Sequence, residues 1–262
     1  MAPATPVTPG TGPGVRPSGA EANPLRSFKH RRGRITPGQR TALDSLWSRY
    51  GLPSGPHERV PIDPREAFGR AAPLVVEIGF GMGETTVAMA AADPGRDLLA
   101  IDVHTPGVGA LLRDAAALGL TNLRVVIGDG VDVLRYRVAP GSLDEIRVYF
   151  PDPWPKQRHH KRRLISTVFA RLAAECLRPG GRLHCATDWT PYAERMLQVV
   201  AAEPLLVNSF GGYARRPAWR PETRFERLGL ARGHSVHDVI AHRRQAPGGT
   251  PGAAVPAPFT AS

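Results

Sequence analysis

From residue 74 onward the chain alternates between short apolar runs and longer stretches whose apolar positions recur every three or four residues. Segments 74–78, 98–103, 123–127, 145–150 and 183–187 read as buried strands. Between them, helical spacing predicts helices over 84–92, 106–118, 163–177 and 191–202, the third closing with Arg178-Pro-Gly-Gly. Strands and helices taking turns predict an α/β, Rossmann-like domain with a mainly parallel sheet covered on both faces. Ligands in such sheets sit at the carboxyl ends of the strands.

The two ends differ from this pattern. Residues 1–24 and 246–262 are Pro/Gly/Ala-rich with almost no large apolar side chains, so they are expected to be disordered tails around one domain, 25–245. The start lacks the apolar core of a signal peptide, and no run of about 18 apolar residues occurs. The expected location is the cytoplasm, with no membrane partner and a monomer or weak homodimer as the working form. Cys176 and Cys185 are too few and too far apart to hold a metal knuckle and read as buried, inert thiols. The histidines show no paired-ligand spacing, so no metal is expected.

Charge then changes the picture. The sequence has 34 Lys and Arg against 23 Asp and Glu, a net charge of +11. Arg26, Lys29, Arg31, Arg32, Arg34 and Arg40 form one tract without an acid, and Arg215, Arg216, Arg220, Arg224 and Arg227 form another. A third follows the fourth strand, whose apolar run ends abruptly in Phe150-Pro-Asp-Pro-Trp-Pro-Lys156. Proline removes backbone donors and stiffens the chain, so the strand must stop at Phe150, and Asp152 and Trp154 are fixed at its carboxyl end. Arg158, His159, His160, Lys161, Arg162 and Arg163 come next, joining a carboxylate, an aromatic face and dense positive charge in one loop. That combination suits a polyanion whose base is held at a reactive site, which points to RNA.

The first strand runs into Glu77-Ile-Gly-Phe-Gly-Met-Gly83, where Gly79 and Gly81 allow a tight turn and close approach of a ligand. The third glycine of a dinucleotide fingerprint would fall at Glu84, whose carboxylate would oppose a pyrophosphate. A nucleoside without phosphates fits better, and S-adenosylmethionine is the obvious candidate. Glu77 would stand near its methionine ammonium, Asp102 would accept the ribose hydroxyls, and Asp129 would hold the adenine amino group. Ordinary helix caps explain each acid separately but not the set.

These residues resemble the bacterial tRNA (guanine-N7-)-methyltransferases, which have the class I methyltransferase fold. The matching text is Arg26–Gln39, Glu77–Gly83, Pro151–Arg163, Thr187-Asp-Trp189 with Tyr192, and Thr223-Arg-Phe-Glu226, within a resemblance covering about residues 26–244. The resemblance implies methyl transfer from S-adenosylmethionine to N7 of a variable-loop guanine in tRNA. It implies that Glu77, Asp102, Asp129 and Asp152 line the cofactor pocket, with Asp152 at the catalytic position. It further implies that Lys156, Asp188, Thr223, Arg224, Phe225 and Glu226 contact the guanine and that 158–163 meet RNA. Asp102 stands where the family usually has Glu, and Arg224 where it usually has Lys.

The chemistry of that reaction needs no cysteine nucleophile, because guanine N7 has its own lone pair. Two other readings share some of these features. One is a methyltransferase acting on another RNA base or on a small molecule, of which the basic tracts disfavour only the small molecule. A non-catalytic RNA-binding protein on the same fold is disfavoured by intact acids at 77, 102, 129 and 152. Trp154 is equally compatible with base stacking and core packing, Asp188 with a helix cap, and Thr223 with Glu226 as a capping box.

Overall fold

The computed structural model describes residues 34–55 and 58–245, apart from the side chain of Arg224. The expected tails, 1–24 and 246–262, and most of the first basic tract lie outside the described residues.

The tract ends in helix α1 (Pro37–Tyr50), which the sequence pattern did not reveal because most of its positions are polar. Its start is locally encoded. Thr36 Oγ1 accepts the Gln39 N–H at 3.3 Å while the Gln39 side chain accepts the Thr36 N–H at 2.9 Å, and Pro37 has the fixed φ of a first helical turn. A short helix, α2 (Pro64–Phe68), follows.

The α/β core begins with β1 (Leu74–Ile78), α3 (Glu84–Ala92), β2 (Asp97–Asp102), α4 (Thr105–Ala117), β3 (Leu123–Ile127), α5 (Gly130–Arg137) and β4 (Leu143–Tyr149). It continues with α6 (Thr167–Cys176), β5 (Leu177–Thr187), α7 (Thr190–Ala202), β6 (Leu206–Val207), α8 (Arg224–Leu230) and β7 (His237–Arg243). The sheet order is β3-β2-β1-β4-β5-β7-β6, with the first five strands parallel and β7 antiparallel to both its neighbours. This is the class I methyltransferase fold expected from the sequence.

Alternating strand residues sort into two layers. Val76, Leu99, Ile101, Val126, Ile146 and Val148 pack with Leu134, Phe169, Tyr192 and Met196 beneath α5, α6 and α7. Val75, Leu98, Ala100, Leu123 and Val125 pack on the other face with Leu43, Tyr50, Val87, Val108 and Leu111 of α1, α3 and α4. Where β4 leaves that apolar layer the face turns polar. Glu145 is held by Arg147 at 3.0 Å and by Arg96 and Arg182 at 2.7 Å each. Burial alone would raise this carboxyl, but the arginines hold it well below its ordinary value.

Two predicted elements are corrected. The helix expected over 163–177 starts only at Thr167, after a 3-10 turn (Gln157–Arg162), because Arg163 is extended and Ser166 Oγ caps the helix by accepting the Phe169 N–H at 3.3 Å. The strand expected at 183 already starts at Leu177, since Arg178-Pro-Gly-Gly forms an irregularity within β5 rather than a loop. Cys176 and Cys185 are buried, and burial pushes their thiols up to about 11 and about 12. Among the described residues no helix is long and apolar enough to cross a membrane.

Candidate cofactor and guanine site

The carboxyl ends of β1, β2, β3 and β4 converge on one cavity of about 490 Å³, a size suited to a nucleoside-sized ligand. Its wall includes Glu77, Gly79, Gly81, Asp102, Asp129 and Asp152, together with Thr223, Phe225 and Leu228 at α8. The structure therefore brings together the acids read from four strand ends and part of a motif some seventy residues further along.

Each acid is placed by local structure. In the turn after β1, Gly79 and Gly81 adopt φ of 79° and 64°, and open space lies where a Cβ would be. A side chain there would be strained and would narrow the cavity. Asp102 is 9% exposed; its Oδ2 accepts the Gly81 N–H at 2.8 Å and its Oδ1 the His104 N–H at 2.9 Å. Burial pushes this carboxyl above its ordinary value despite those donors. Asp129 Oδ1 accepts the Val131 N–H at 2.8 Å and so caps α5, the structural role considered for it from the sequence.

Glu77 is 2% exposed, and its Oε2 is buried without a hydrogen-bond partner. Burial lifts the carboxyl to about 7, with the Arg147 charge opposing the shift. A buried oxygen in this condition is costly unless a ligand completes its bonding.

Asp152 lines the cavity from a strained loop. Phe150 at φ 50° and Trp154 at φ 44° are non-glycine residues in the left-handed region, and the prolines at 151, 153 and 155 restrict the chain between and after them. Phe150 remains tied to the sheet through its N–H, which the Ala186 carbonyl accepts at 2.8 Å. Trp154 is only 4% exposed; His159 meets its ring edge-on at 5.7 Å and the Arg162 guanidinium lies over it at 5.0 Å. Packing within the loop is thus the role the geometry gives Trp154.

The basic loop divides into two kinds of residue. Lys156, Arg158, His160 and Lys161 are exposed, and Arg162 and His159 lie against Trp154. Arg163 points inward: its Nε donates to the Pro153 carbonyl at 2.8 Å and its guanidinium lies 4.8 Å from the Tyr192 ring centroid. Arg163 is therefore not one of the RNA-facing charges expected over 158–163, because the Pro153 carbonyl and the Tyr192 ring hold it inside.

Lys156, Asp188 and Glu226 do not belong to the cavity wall. Asp188 Oδ2 sits 3.3 Å from His234 Nδ1 and does not cap α7, which starts after Trp189 without a side-chain cap; Thr187 Oγ1 accepts the Trp189 N–H at 3.2 Å in the turn before it. Thr223 and Glu226 form the capping box of α8, with reciprocal bonds of 3.0 and 3.3 Å. Arg220, counted in the sequence as one of a basic surface tract, is 1% exposed and pairs with Glu226 and Asp238. Nothing in the local text distinguishes it from Arg215 or Arg216.

The sequence that builds this site has counterparts among known proteins. The family described as putative methyltransferase matches residues 71–239, which includes all four acids at the strand ends. The tRNA (guanine-N(7)-)-methyltransferase of Streptomyces avermitilis is 54% identical over 237 residues, covering 89% of this chain and 81% of that protein. The enzyme of the same name from Bordetella pertussis is 51% identical over 227 residues, covering 87% and 88%. At that identity and coverage, the chain belongs to the tRNA (guanine-N(7)-)-methyltransferase family.

Proposed function

We propose that this protein transfers the methyl group of S-adenosylmethionine to N7 of a variable-loop guanine in tRNA, working in the cytoplasm. The observation that carries the reading is the single cavity that unites four strand-end acids with Thr223 and Phe225 of the α8 region. The residues present fit the cofactor: Glu77 has a buried oxygen without a partner, and the turn at Gly79 and Gly81 leaves open space beside it. Glu77 would hold the methionine ammonium, Asp102 the ribose hydroxyls and Asp129 the adenine amino group. When bound, S-adenosylmethionine supplies an electrophilic methyl on a positively charged sulfur.

Guanine N7 carries an in-plane lone pair, so no residue has to remove a proton before attack. The work left to the chain is to bind, align and exclude water. Asp152 accepts N1–H and the exocyclic amine of guanine, which turns N7 toward the methyl group, and its negative charge favours the ring as it becomes cationic. The strained segment from Phe150 to Trp154 fixes where that carboxylate stands. Thr223 and Phe225, which line the cavity, complete the guanine contacts, with Lys156 and Asp188 outside its wall reaching the flanking nucleotide. The exposed Arg158, His160 and Lys161 meet the RNA backbone, where phosphate contacts supply affinity without reading sequence.

Incubating the protein with unmodified tRNA and methyl-labelled cofactor, then digesting to nucleosides for mass spectrometry, tests this directly. Label in 7-methylguanosine from the variable loop is the expected result. Label in another nucleoside, or none, overturns it.

A further inference from the structure

Behind the cavity wall lies a buried polar cluster centred on Arg220. Its guanidinium grips two carboxylates at once. Nε and one terminal nitrogen donate to Asp238 at 2.8 and 2.9 Å, and the terminal nitrogens donate to Glu226 at 2.5 and 3.0 Å. Asp238 Oδ1 also receives His184 Nε2 at 2.7 Å, while His184 Nδ1 lies 3.0 Å from the Tyr149 hydroxyl. Burial keeps His184 below its ordinary pKa and hence neutral. With Nε2 donating to the carboxylate, Nδ1 is left to accept the Tyr149 O–H.

The cluster ties two parts of the cavity wall, the α8 region and the end of β4, to the strands β5 and β7 behind them. Glu226 belongs to the capping box that starts α8, and so governs Thr223 and Phe225. Asp238 and His184 lie on the paired strands β7 and β5. The guanidinium also stands 5.7 Å from the Tyr149 ring and 5.9 Å from the Phe150 ring, at the point where the chain turns toward Asp152. A planar fork that binds two carboxylates in fixed directions sets relative orientation, which a flexible ammonium cannot do.

We propose that Arg220 is a positioning residue for methyl transfer. It sets the placement of the Thr223–Phe225 edge relative to Asp152 across the cavity, and so the alignment of the guanine. The proposal rests on the cavity being the methyl-transfer site. Arg220 lies outside the cavity wall and acts through the residues that line it. Small misplacements of reacting atoms cost rate far more than affinity.

Arg220→Lys keeps the charge and removes the fork. Its kcat on tRNA, taken per cofactor-binding site, should fall about tenfold to a hundredfold. The KM for tRNA and the calorimetric Kd for S-adenosylmethionine should stay within about threefold of wild type, a rate effect of this kind leaving uniform binding intact. Asp238→Asn, which loosens one half of the grip and lies outside the cavity wall, should show a smaller fall in kcat with the same unchanged binding. A lowered melting temperature with unchanged kcat per cofactor-binding site would make Arg220 merely structural and overturn the proposal. If Arg220→Lys does not fold, an unchanged kcat in Asp238→Asn overturns it equally. Wild-type protein making no 7-methylguanosine would instead sink the functional reading itself.

Discussion

Asp102 Oδ2 accepts the backbone N–H of Gly81 at 2.8 Å, so the acid that ends β2 and the turn that follows β1 form one hydrogen-bonded unit. The second oxygen secures the His104 N–H at the start of α4. A single carboxylate thereby holds two walls of the cavity while keeping lone pairs for a ligand.

Asp102→Ala should therefore damage cofactor binding twice, by removing the proposed ribose acceptor and by releasing the Gly81 turn. The expected loss in S-adenosylmethionine affinity is about 1–3 kcal/mol, the usual cost of leaving a buried polar partner unsatisfied. Isothermal calorimetry measures it, and wild-type affinity in this variant would contradict the assignment of the pocket.

Glu77 predicts a trade of stability against function. Its carboxyl is raised to about 7 in the folded protein by burial, from an ordinary value of 4.5. A group raised in this way favours the folded state at low pH, and that contribution is lost as pH rises from about 4.5 through about 7. Glu77→Gln does not titrate, so its stability relative to wild type should grow by about 2–3 kcal/mol between about pH 5 and pH 8. Urea denaturation of the two proteins without cofactor at both pH values gives the comparison, and a difference independent of pH would refute it. The same variant should bind S-adenosylmethionine poorly.

The inward and outward arginines of the loop should separate by experiment. Neutralising Arg158, Lys161 and Arg162 together should weaken tRNA binding and flatten its salt dependence by about 0.7–0.9 log units for each phosphate that the variant no longer neutralises. Arg163→Ala should leave the salt slope alone and cost about 1–3 kcal/mol of stability, because the Pro153 carbonyl loses its donor. Filter binding over a salt series, with thermal melts alongside, tests both halves. Equal slopes for wild type and the triple variant would reduce the loop to ordinary surface.

Asp152→Ala should lower the methylation rate about a hundredfold or more while changing tRNA affinity little, since phosphates dominate binding and the carboxylate is proposed to act on one base in the transition state. Asp152→Asn should also be impaired, because an amide cannot favour a cationic ring in the same way. Single-turnover rates at saturating tRNA decide it. A fully active Asp152→Ala enzyme would rule out the role given to this residue.

The first five strands and much of the cavity wall are legible in the residues because both depend on local features. A buried parallel strand is a short apolar run, its end is marked by Gly79, Asp102 or Pro151, and strand ends are where such sheets bind ligands. The glycine turn, the acids and the Pro151–Arg163 string could thus be placed before any contact was known. Helix α1 escapes the periodicity although Thr36 with Gln39 signals its start, and α8 is legible only as the capping box of Thr223 with Glu226, because their weakly periodic faces acquire meaning only against α4 or the cavity.

Residue type alone could not decide which arginines face water. Arg158 and Arg163 are five positions apart in one basic run, yet one is exposed and the other is anchored on the Pro153 carbonyl. Arg220 reads as surface charge beside Arg215 and Arg216 until Asp238, eighteen residues on, is brought against it by the antiparallel pairing of β5 and β7. The succession of apolar runs, the acids at their ends and the total positive charge can be read from residue order. Which of those charges are spent inside follows from the folded chain, because burial and ion pairing depend on partners that topology, not neighbouring residues, brings together.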